Sequence, residues 1–177
     1  MNAPTNLTSF THKAENVLVP NCDPCFIDSD AIDLLKRAAD ASPMKRARIC
    51  LHKSSEETVH EMLIVLSQGG YIRPHRHLNK AESFHLIEGE ASILIFDDDG
   101  NVTHQTALSK KLGAPFLYRI DQPVYHTQIV HSAYLVFYEV TRGPWLPHET
   151  EYAPWSPSDD PLEIKMFQQK LSEALAH

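Results

Sequence analysis

Residues 69–89 read Gly-Gly-Tyr-Ile-Arg-Pro-His-Arg-His-Leu-Asn-Lys-Ala-Glu-Ser-Phe-His-Leu-Ile-Glu-Gly, and the spacing of their polar side chains decides the fold. Residues two apart in a β-strand share a face, so His75 and His77 present both imidazoles to one side. Glu82 follows after a short turn on the next strand, and Gly89 permits the hairpin that returns the chain. The stretch therefore predicts two neighbouring strands that bring two imidazoles and one carboxylate to the same point.

A fourth polar side chain, His126, opens a later predicted strand just after Pro123. His75, His77, Glu82 and His126 are the predicted ligands of one divalent transition metal, because three imidazoles and one carboxylate suit such an ion and leave positions open for water or substrate. Iron, manganese, nickel, cobalt, copper and zinc all fit this set. In the alternative interpretation His75 and His77 are partly exposed barrel residues hydrogen-bonded to the backbone and Glu82 is a solvated turn carboxylate, but burying such groups without a metal is costly.

The rest of the chain predicts a mostly β domain. Apolar runs rich in β-branched and aromatic residues recur at short intervals, which is typical of a barrel or sandwich. These runs are Ala47–Leu51, Met62–Leu66, Ser83–Ile87, Ala91–Phe96, Pro115–Ile120, Tyr125–Val130 and Tyr134–Val140. The pair Asp99-Gly100, just after the fourth run, supplies the positive φ angles that a tight hairpin turn needs.

Three segments follow from these patterns. Residues 1–28 are polar and contain several Pro and Asp residues, which predicts an irregular stretch up to a helix N-cap at Ser29. Residues 29–158 form the β-barrel domain, with a leading helix over Asp30–Ala41 and a proline-rich arm after Gly143 that cannot enter a central strand. Residues 159–177 form a closing helix with an apolar docking face. That face comprises Ile164, Phe167, Leu171 and Leu175.

Composition and charge limit the partners. Hydrophobic residues make up 42% and charged residues 22% of the 177 residues, which is typical of a globular domain with a core. A net charge of −7 argues against binding to nucleic acid. The sequence lacks a signal peptide and a long apolar stretch, so we expect a cytoplasmic protein without a membrane partner. The pair Cys22-x-x-Cys25 has no second such pair, and we interpret it as part of a loop rather than a zinc site.

The same residues resemble a known family. The spacing in residues 69–89 is that of cupin motif 1, and His126 stands where cupin motif 2 has its histidine. Residues 46–53, 60–66, 71–83 and 139–144 are similar to the WbuC family of cupin fold metalloproteins. Motif 2 departs from the usual pattern, because it is shortened before His126 and has Val130 where an Asn is normal.

The resemblance implies a single cupin barrel, that is, a double-stranded β-helix or jelly roll, with a bound metal. Some members of the family are encoded among genes for surface-polysaccharide (O-antigen) synthesis, and the reaction that they catalyse is not established. Cupins commonly pair, so we expect a homodimer.

Alternation along residues 46–53 places Arg48 and His52 on one face of a strand. With Arg119, they predict a cationic pocket for a small anionic molecule such as a keto acid or a nucleotide-sugar phosphate. The alternative, in which this face is solvated and the opposite face turns inward, stays open. The candidate catalytic residues are three tyrosines that fit as pocket walls or hydrogen-bond donors, although barrel filling explains them as well. They are Tyr71, Tyr125 and Tyr138.

Two classes of function fit these features. The first is a metal-dependent enzyme, an isomerase or a dioxygenase, acting on a small anionic or sugar-nucleotide substrate. A metal-free sugar-nucleotide isomerase or epimerase, with histidine as base and tyrosine as acid, is a variant of it. The second is an accessory protein that binds metal and small molecules without turnover. Fold alone does not decide between them, because one scaffold hosts many chemistries.

Overall fold

The strands form two β-sheets, and from Val59–Ser67 onward successive strands alternate between the sheets except at one hairpin. The computed structural model describes residues 9–175. Within that range the elements are β1 (Phe10–Ala14), β2 (Val17–Pro20), α1 (Ser29–Ala41), β3 (Arg46–Cys50), β4 (Val59–Ser67), β5 (His75–His77), β6 (Glu82–Glu88), β7 (Ala91–Phe96), β8 (Val102–Leu108), β9 (Leu117–Ile120), β10 (Tyr125–Val130), β11 (Tyr134–Arg142), a 3-10 turn (Pro147–Glu149), β12 (Thr150–Tyr152) and α2 (Pro161–Ala174).

The strand order defines a jelly roll. One sheet has the order β1-β2-β3-β4-β11-β6-β9, and the other has the order β12-β5-β10-β7-β8. Neighbouring strands are antiparallel except for β2 and β3, which run parallel. Apolar side chains from both sheets meet in one core cluster, which includes Phe84, Phe137, Ile93 and Leu108. The two sheets therefore face each other across this core.

The two helices cover the outer faces of the sheets. Leu35 and Ala39 of α1 are fully buried against Ile49 and Val65 of the seven-stranded sheet. On the other side, α2 and the preceding arm cover Leu94, Phe96 and Tyr125 of the five-stranded sheet. This covering explains why inward and outward residues on the central strands are both apolar.

The predicted mostly β jelly roll with one leading and one closing helix is confirmed. The predicted turn between β7 and β8 is also present, with Gly100 at a φ of +88°. A Cβ at this glycine would lie 2.8 Å from the indole ring of Trp155, so the close approach of the arm requires glycine there.

The prediction that residues 1–28 are irregular is wrong for residues 10–20. This stretch forms the β1–β2 hairpin, because Leu18 is buried in the cluster beneath α1 and β2 adds to the edge of β3. The helix N-cap is Asp28 rather than Ser29, since the Asp28 side chain accepts a hydrogen bond from the Ala31 backbone N–H at 3.1 Å. The parts of the predicted terminal segments at residues 1–8 and 176–177 lie outside the described range. No helix in residues 9–175 is long and apolar enough to cross a membrane.

Candidate metal centre

The four predicted ligands converge between the sheets. His75 and His77 lie on β5, and His126 on β10 is paired directly with His75. Glu82 comes from β6 in the opposite sheet. One ligand atom from each of the four residues lies within 4.8 Å of all the others. The cluster could therefore hold a metal ion.

Hydrogen bonds on the far side of each ring orient the imidazoles. Nδ1 of His75 lies 2.9 Å from the Arg73 carbonyl oxygen, and Nδ1 of His126 lies 3.0 Å from that of Val124. A carbonyl oxygen only accepts, so both rings carry their proton on Nδ1 and leave the lone pair of Nε2 for the centre. Nδ1 of His77 lies 3.1 Å from Oγ1 of Thr150, which fixes the third ring. Metal-binding histidines in proteins are commonly held in this way.

Glu82 connects the cluster. Its Oε2 lies 3.2 Å from Nε2 of His77, and its Oε1 lies 3.1 Å from Nε2 of His126. Despite this short distance, Nε2 of His126 is buried and makes no hydrogen bond of regular geometry. An unpartnered buried nitrogen is costly in an apolar interior. It is the arrangement expected of an atom that binds a metal.

The ionisation of the cluster follows from burial and mutual charge. Burial lowers the pKa of His75 to about 4. Burial alone would raise the pKa of Glu82, but the imidazoles of His126 and His77 hold it well below its usual range. Burial acts to lower the pKa of His126, and Glu82 more than reverses that effect, so the pKa is raised. The carboxylate and neutral His75 are thus ready to bind a cation at neutral pH.

The cluster lies in a cavity of about 560 Å³ whose other walls combine apolar and cationic side chains. Cations and imidazoles from the seven-stranded sheet and nearby loops line this metal cavity. They are Lys13, Arg46, Arg48, His52, His60 and Lys80. Along β3, Ala47 and Ile49 are buried beneath α1, while Arg46 and Arg48, at the alternate positions, face the cavity. Burial, and then the neighbouring Arg48, lower the pKa of Arg46.

The predicted substrate-binding residues separate into two groups. Arg48 and His52 line the metal cavity. Arg119 lines a different cavity of about 360 Å³, which lies between the edge strands β8 and β9 and is called here the edge cavity. Alternation along β9 turns Tyr118 and Ile120 inward and leaves Arg119 largely exposed beside Asp121.

The three predicted catalytic tyrosines all lie outside the metal cavity. The Tyr71 hydroxyl donates to the Pro157 carbonyl oxygen at 3.0 Å. Tyr125 packs with Trp155 beneath α2. The Tyr138 hydroxyl donates to Glu61 on the outer face of β11, because side chains alternate along that strand. The structure therefore does not bring these hydroxyls to the cluster.

Two other residues approach the cluster instead. The Tyr118 hydroxyl lies 3.4 Å from Oε1 of Glu82, and its ring stacks on Phe84. Glu139 lines the metal cavity, and burial, followed by the charge of Glu82, raises its pKa to about 8. The sequence signal for both was weak. It consists of one polar residue at an inward position of a strand, recognisable only when the facing strand is known.

The comparisons with known proteins agree with this architecture. A family model described as a domain of unknown function (DUF6016) matches residues 27–108, which is less than half of the chain. No curated protein matches the sequence. Protein SO0799 from Shewanella oneidensis is similar in structure, with a TM-score of 0.51 and 13% identity over 59% of this chain and 72% of that one. The chain has the cupin fold.

Two larger proteins also align with this cupin domain. Bacillus subtilis oxalate decarboxylase, whose structure was studied for its Mn(II) centres, gives a TM-score of 0.43 and 18% identity over 54% of this chain and 24% of that one. Procruciferin, an 11S globulin from Brassica napus, gives a TM-score of 0.44 and 16% identity over 54% of this chain and 23% of that one.

Proposed function

We propose that the protein is a metal-dependent enzyme that holds one divalent transition metal on His75, His77, Glu82 and His126 and acts on a small anionic substrate. One observation carries the proposal. The three histidines and the carboxylate converge between the sheets, and Nε2 of His126 is buried there without a hydrogen-bond partner.

The chemistry of the donor set supports a catalytic centre rather than a closed structural one. Four protein ligands would leave up to about two positions of a six-coordinate ion for water or substrate, and the four residues line an open cavity. A bound ion would polarise a carbonyl or hydroxyl oxygen of the substrate, which fits an isomerase, and a redox-active ion would also fit a dioxygenase. Arg48 and His52 would bind the anionic part of the substrate from the cavity wall.

A role in surface-polysaccharide synthesis, in the cytoplasm, is the biological setting that we propose. It is supported by the resemblance of about residues 29–158 to the WbuC family. We also propose that the protein is a homodimer, supported by the half-exposed Phe116 and Leu117 beside the edge strand β9. Light scattering of the purified protein tests that state directly.

Elemental analysis of protein purified without a metal-chelating tag tests the metal centre. We expect about one metal ion per chain in the wild type and loss of the metal in His75→Ala and His126→Ala. His104→Ala is the matched control, because His104 lines the edge cavity. A wild-type protein that takes up no metal after reconstitution would contradict the proposal and favour metal-free isomerase chemistry.

A further inference from the structure

The metal cavity contains cations that no carboxylate pairs with. Within residues 9–175, no Asp or Glu oxygen lies within salt-bridge distance of Lys13, Arg46, Arg48 or Lys80. Arg76 on the surface differs, since it pairs with two carboxylates at 2.8 and 3.0 Å. The cations of the metal cavity are therefore not engaged by carboxylates of the described residues.

The side chains that line the metal cavity carry a net positive charge, whether or not both carboxyls are ionised. Four cationic side chains line it, and only two carboxyls do, those of Glu82 and Glu139. Counting both carboxyls as ionised leaves two positive charges in excess, and a bound divalent ion would add to them. Such an excess of positive charge in a partly enclosed cavity favours the binding of an anion.

Arg48 marks where that anion would bind. Its Nε is buried without a hydrogen-bond partner, although Arg48 faces the cavity. The neighbouring His60 is 5% exposed, and its Nε2 is also unpartnered. Guanidinium groups bind carboxylates and phosphates through paired N–H donors, so these are the anions that fit.

The arginines and the metal cluster lie at opposite sides of the cavity. The strand order β3-β4-β11-β6 places the strand of Arg48 three strand spacings from that of Glu82, a distance of about 14 Å. The long side chain of Arg48 spans part of that distance, and a ligand of several bonds would span the rest.

From this geometry we infer that the substrate carries two oxyanionic groups, one that binds at the metal cluster and a second, carboxylate or phosphate, that binds at Arg46 and Arg48. This inference rests on the proposed metal-dependent function and narrows its substrate class to molecules with two anionic groups, called here dianions whatever their total charge.

Calorimetric titration of the zinc-loaded protein with matched ligand pairs tests the inference, because zinc adds no redox chemistry. The first pair is 2-oxoglutarate and 2-oxopentanoate, which differ in the second carboxylate. The second pair is 3-phosphoglycerate and glycerate, which differ in the phosphate. We expect the dianion of at least one pair to bind about tenfold more tightly or better than its partner, and the favoured pair identifies the second group.

Three variants test whether Arg46 and Arg48 cause the preference for the dianion. In Arg48→Met the preference for the dianion should disappear, whereas Arg119→Met, in the edge cavity, should retain it. Arg46→Met gives a second measurement if Arg48→Met does not fold. Equal binding within both pairs by the zinc-loaded wild type, or an unchanged preference in every folded variant at positions 46 and 48, would overturn the inference.

Failure of the metal centre is distinguishable from failure of the inference. If the protein takes up no zinc, the proposed function fails, and titration of the metal-free protein with inorganic phosphate still tests the arginines. Phosphate binding that weakens in Arg48→Met and not in Arg119→Met would support the anion site. Equal binding by these variants would refute it.

Discussion

The two cavities of this cupin lie between the same two sheets and differ in what faces inward. The metal cavity has several imidazoles, two guanidinium groups and two carboxyls in its wall, whereas the edge cavity has one imidazole, one guanidinium group, one carboxyl and five aliphatic side chains. The aliphatic side chains are Ile93, Ile95, Leu108, Ile120 and Val124. Alternation along the strands would place apolar residues inward in both. The polar residues of the metal cavity therefore oppose folding, and a retained set of this kind indicates a functional site.

The side chain of Tyr118 reaches from the edge cavity to the metal cluster. Its ring lines the edge cavity, and its hydroxyl reaches Oε1 of Glu82 on the other side. A change at Tyr118 thus bears on the metal centre, while changes elsewhere in the edge cavity should not.

The largest expected difference between the cavities is in the pH dependence of stability. In the metal-free protein the folded-state pKa of His75 is about 4, below the ordinary value of 6.5. As pH falls from 6.5 to 4, the unfolded chain takes up this proton first, so the free energy of unfolding should fall by up to about 3 kcal/mol. Glu82, with its depressed pKa, adds a loss in the same direction at lower pH.

Urea denaturation of the metal-free protein at a series of pH values measures this effect. His75→Asn should flatten the decline between pH 6.5 and 4, because the neutral amide does not titrate. The control is His104→Asn in the edge cavity, where the exposed ring is already in water and the decline should persist. A decline of the same steepness in His75→Asn would show that another group controls it.

The sequence predicted the metal cluster better than the surroundings of the cluster. The motif around His75, His77 and Glu82 fixes its own geometry, because it specifies two short strands and the turn between them. Whether Arg119 lines the metal cavity depends on which face of β9 turns inward. The four residues of β9 do not determine this by themselves. Tyr118 and Glu139 approach Glu82 only through pairing of β9 and β11 with β6, which is a long-range contact.

The N-terminal hairpin is a second feature that depends on long-range contacts and was not predicted from the sequence. Residues 17–19 are a short apolar run, and the polar residues around them indicated a loop. Leu18 is buried only because α1 and β3 form a cluster that accepts it. Short strands that depend on such tertiary burial are not determined by their own sequence.

A smaller effect is expected from Tyr118→Phe, which removes the hydroxyl and keeps the ring stacked on Phe84. Burial, together with Glu82, raises the pKa of Tyr118 well above its usual range, so the hydroxyl stays protonated and donates to Glu82. Loss of a group that orients a metal ligand costs about tenfold or more in affinity. Because 3.4 Å is long for a hydrogen bond, we expect about tenfold weaker metal binding, measured by chelator competition.

The matched variant for this prediction is Tyr125→Phe. Tyr125 lies beneath α2, away from both cavities, and its substitution should leave metal affinity unchanged. Wild-type affinity in Tyr118→Phe would mean that Glu82 is oriented by His77 and His126 alone.

The smallest effect is expected at a pair of threonines, one from each cavity. Thr127 in the metal cavity is 4% exposed and donates to the Ile72 carbonyl oxygen, whereas Oγ1 of Thr106 in the edge cavity lies 2.9 Å from Nε2 of exposed His104. Thr127→Val leaves a buried carbonyl unpaired and should lower the free energy of unfolding by about 1–2 kcal/mol. Thr106→Val should change it by less than about 0.5 kcal/mol, because water replaces the lost partner. Thermal or urea denaturation of both variants measures the difference. Equal losses would show that hydrogen bonding inside the metal cavity is no more protected from water than at the edge, and the charge argument for its arginines would weaken with it.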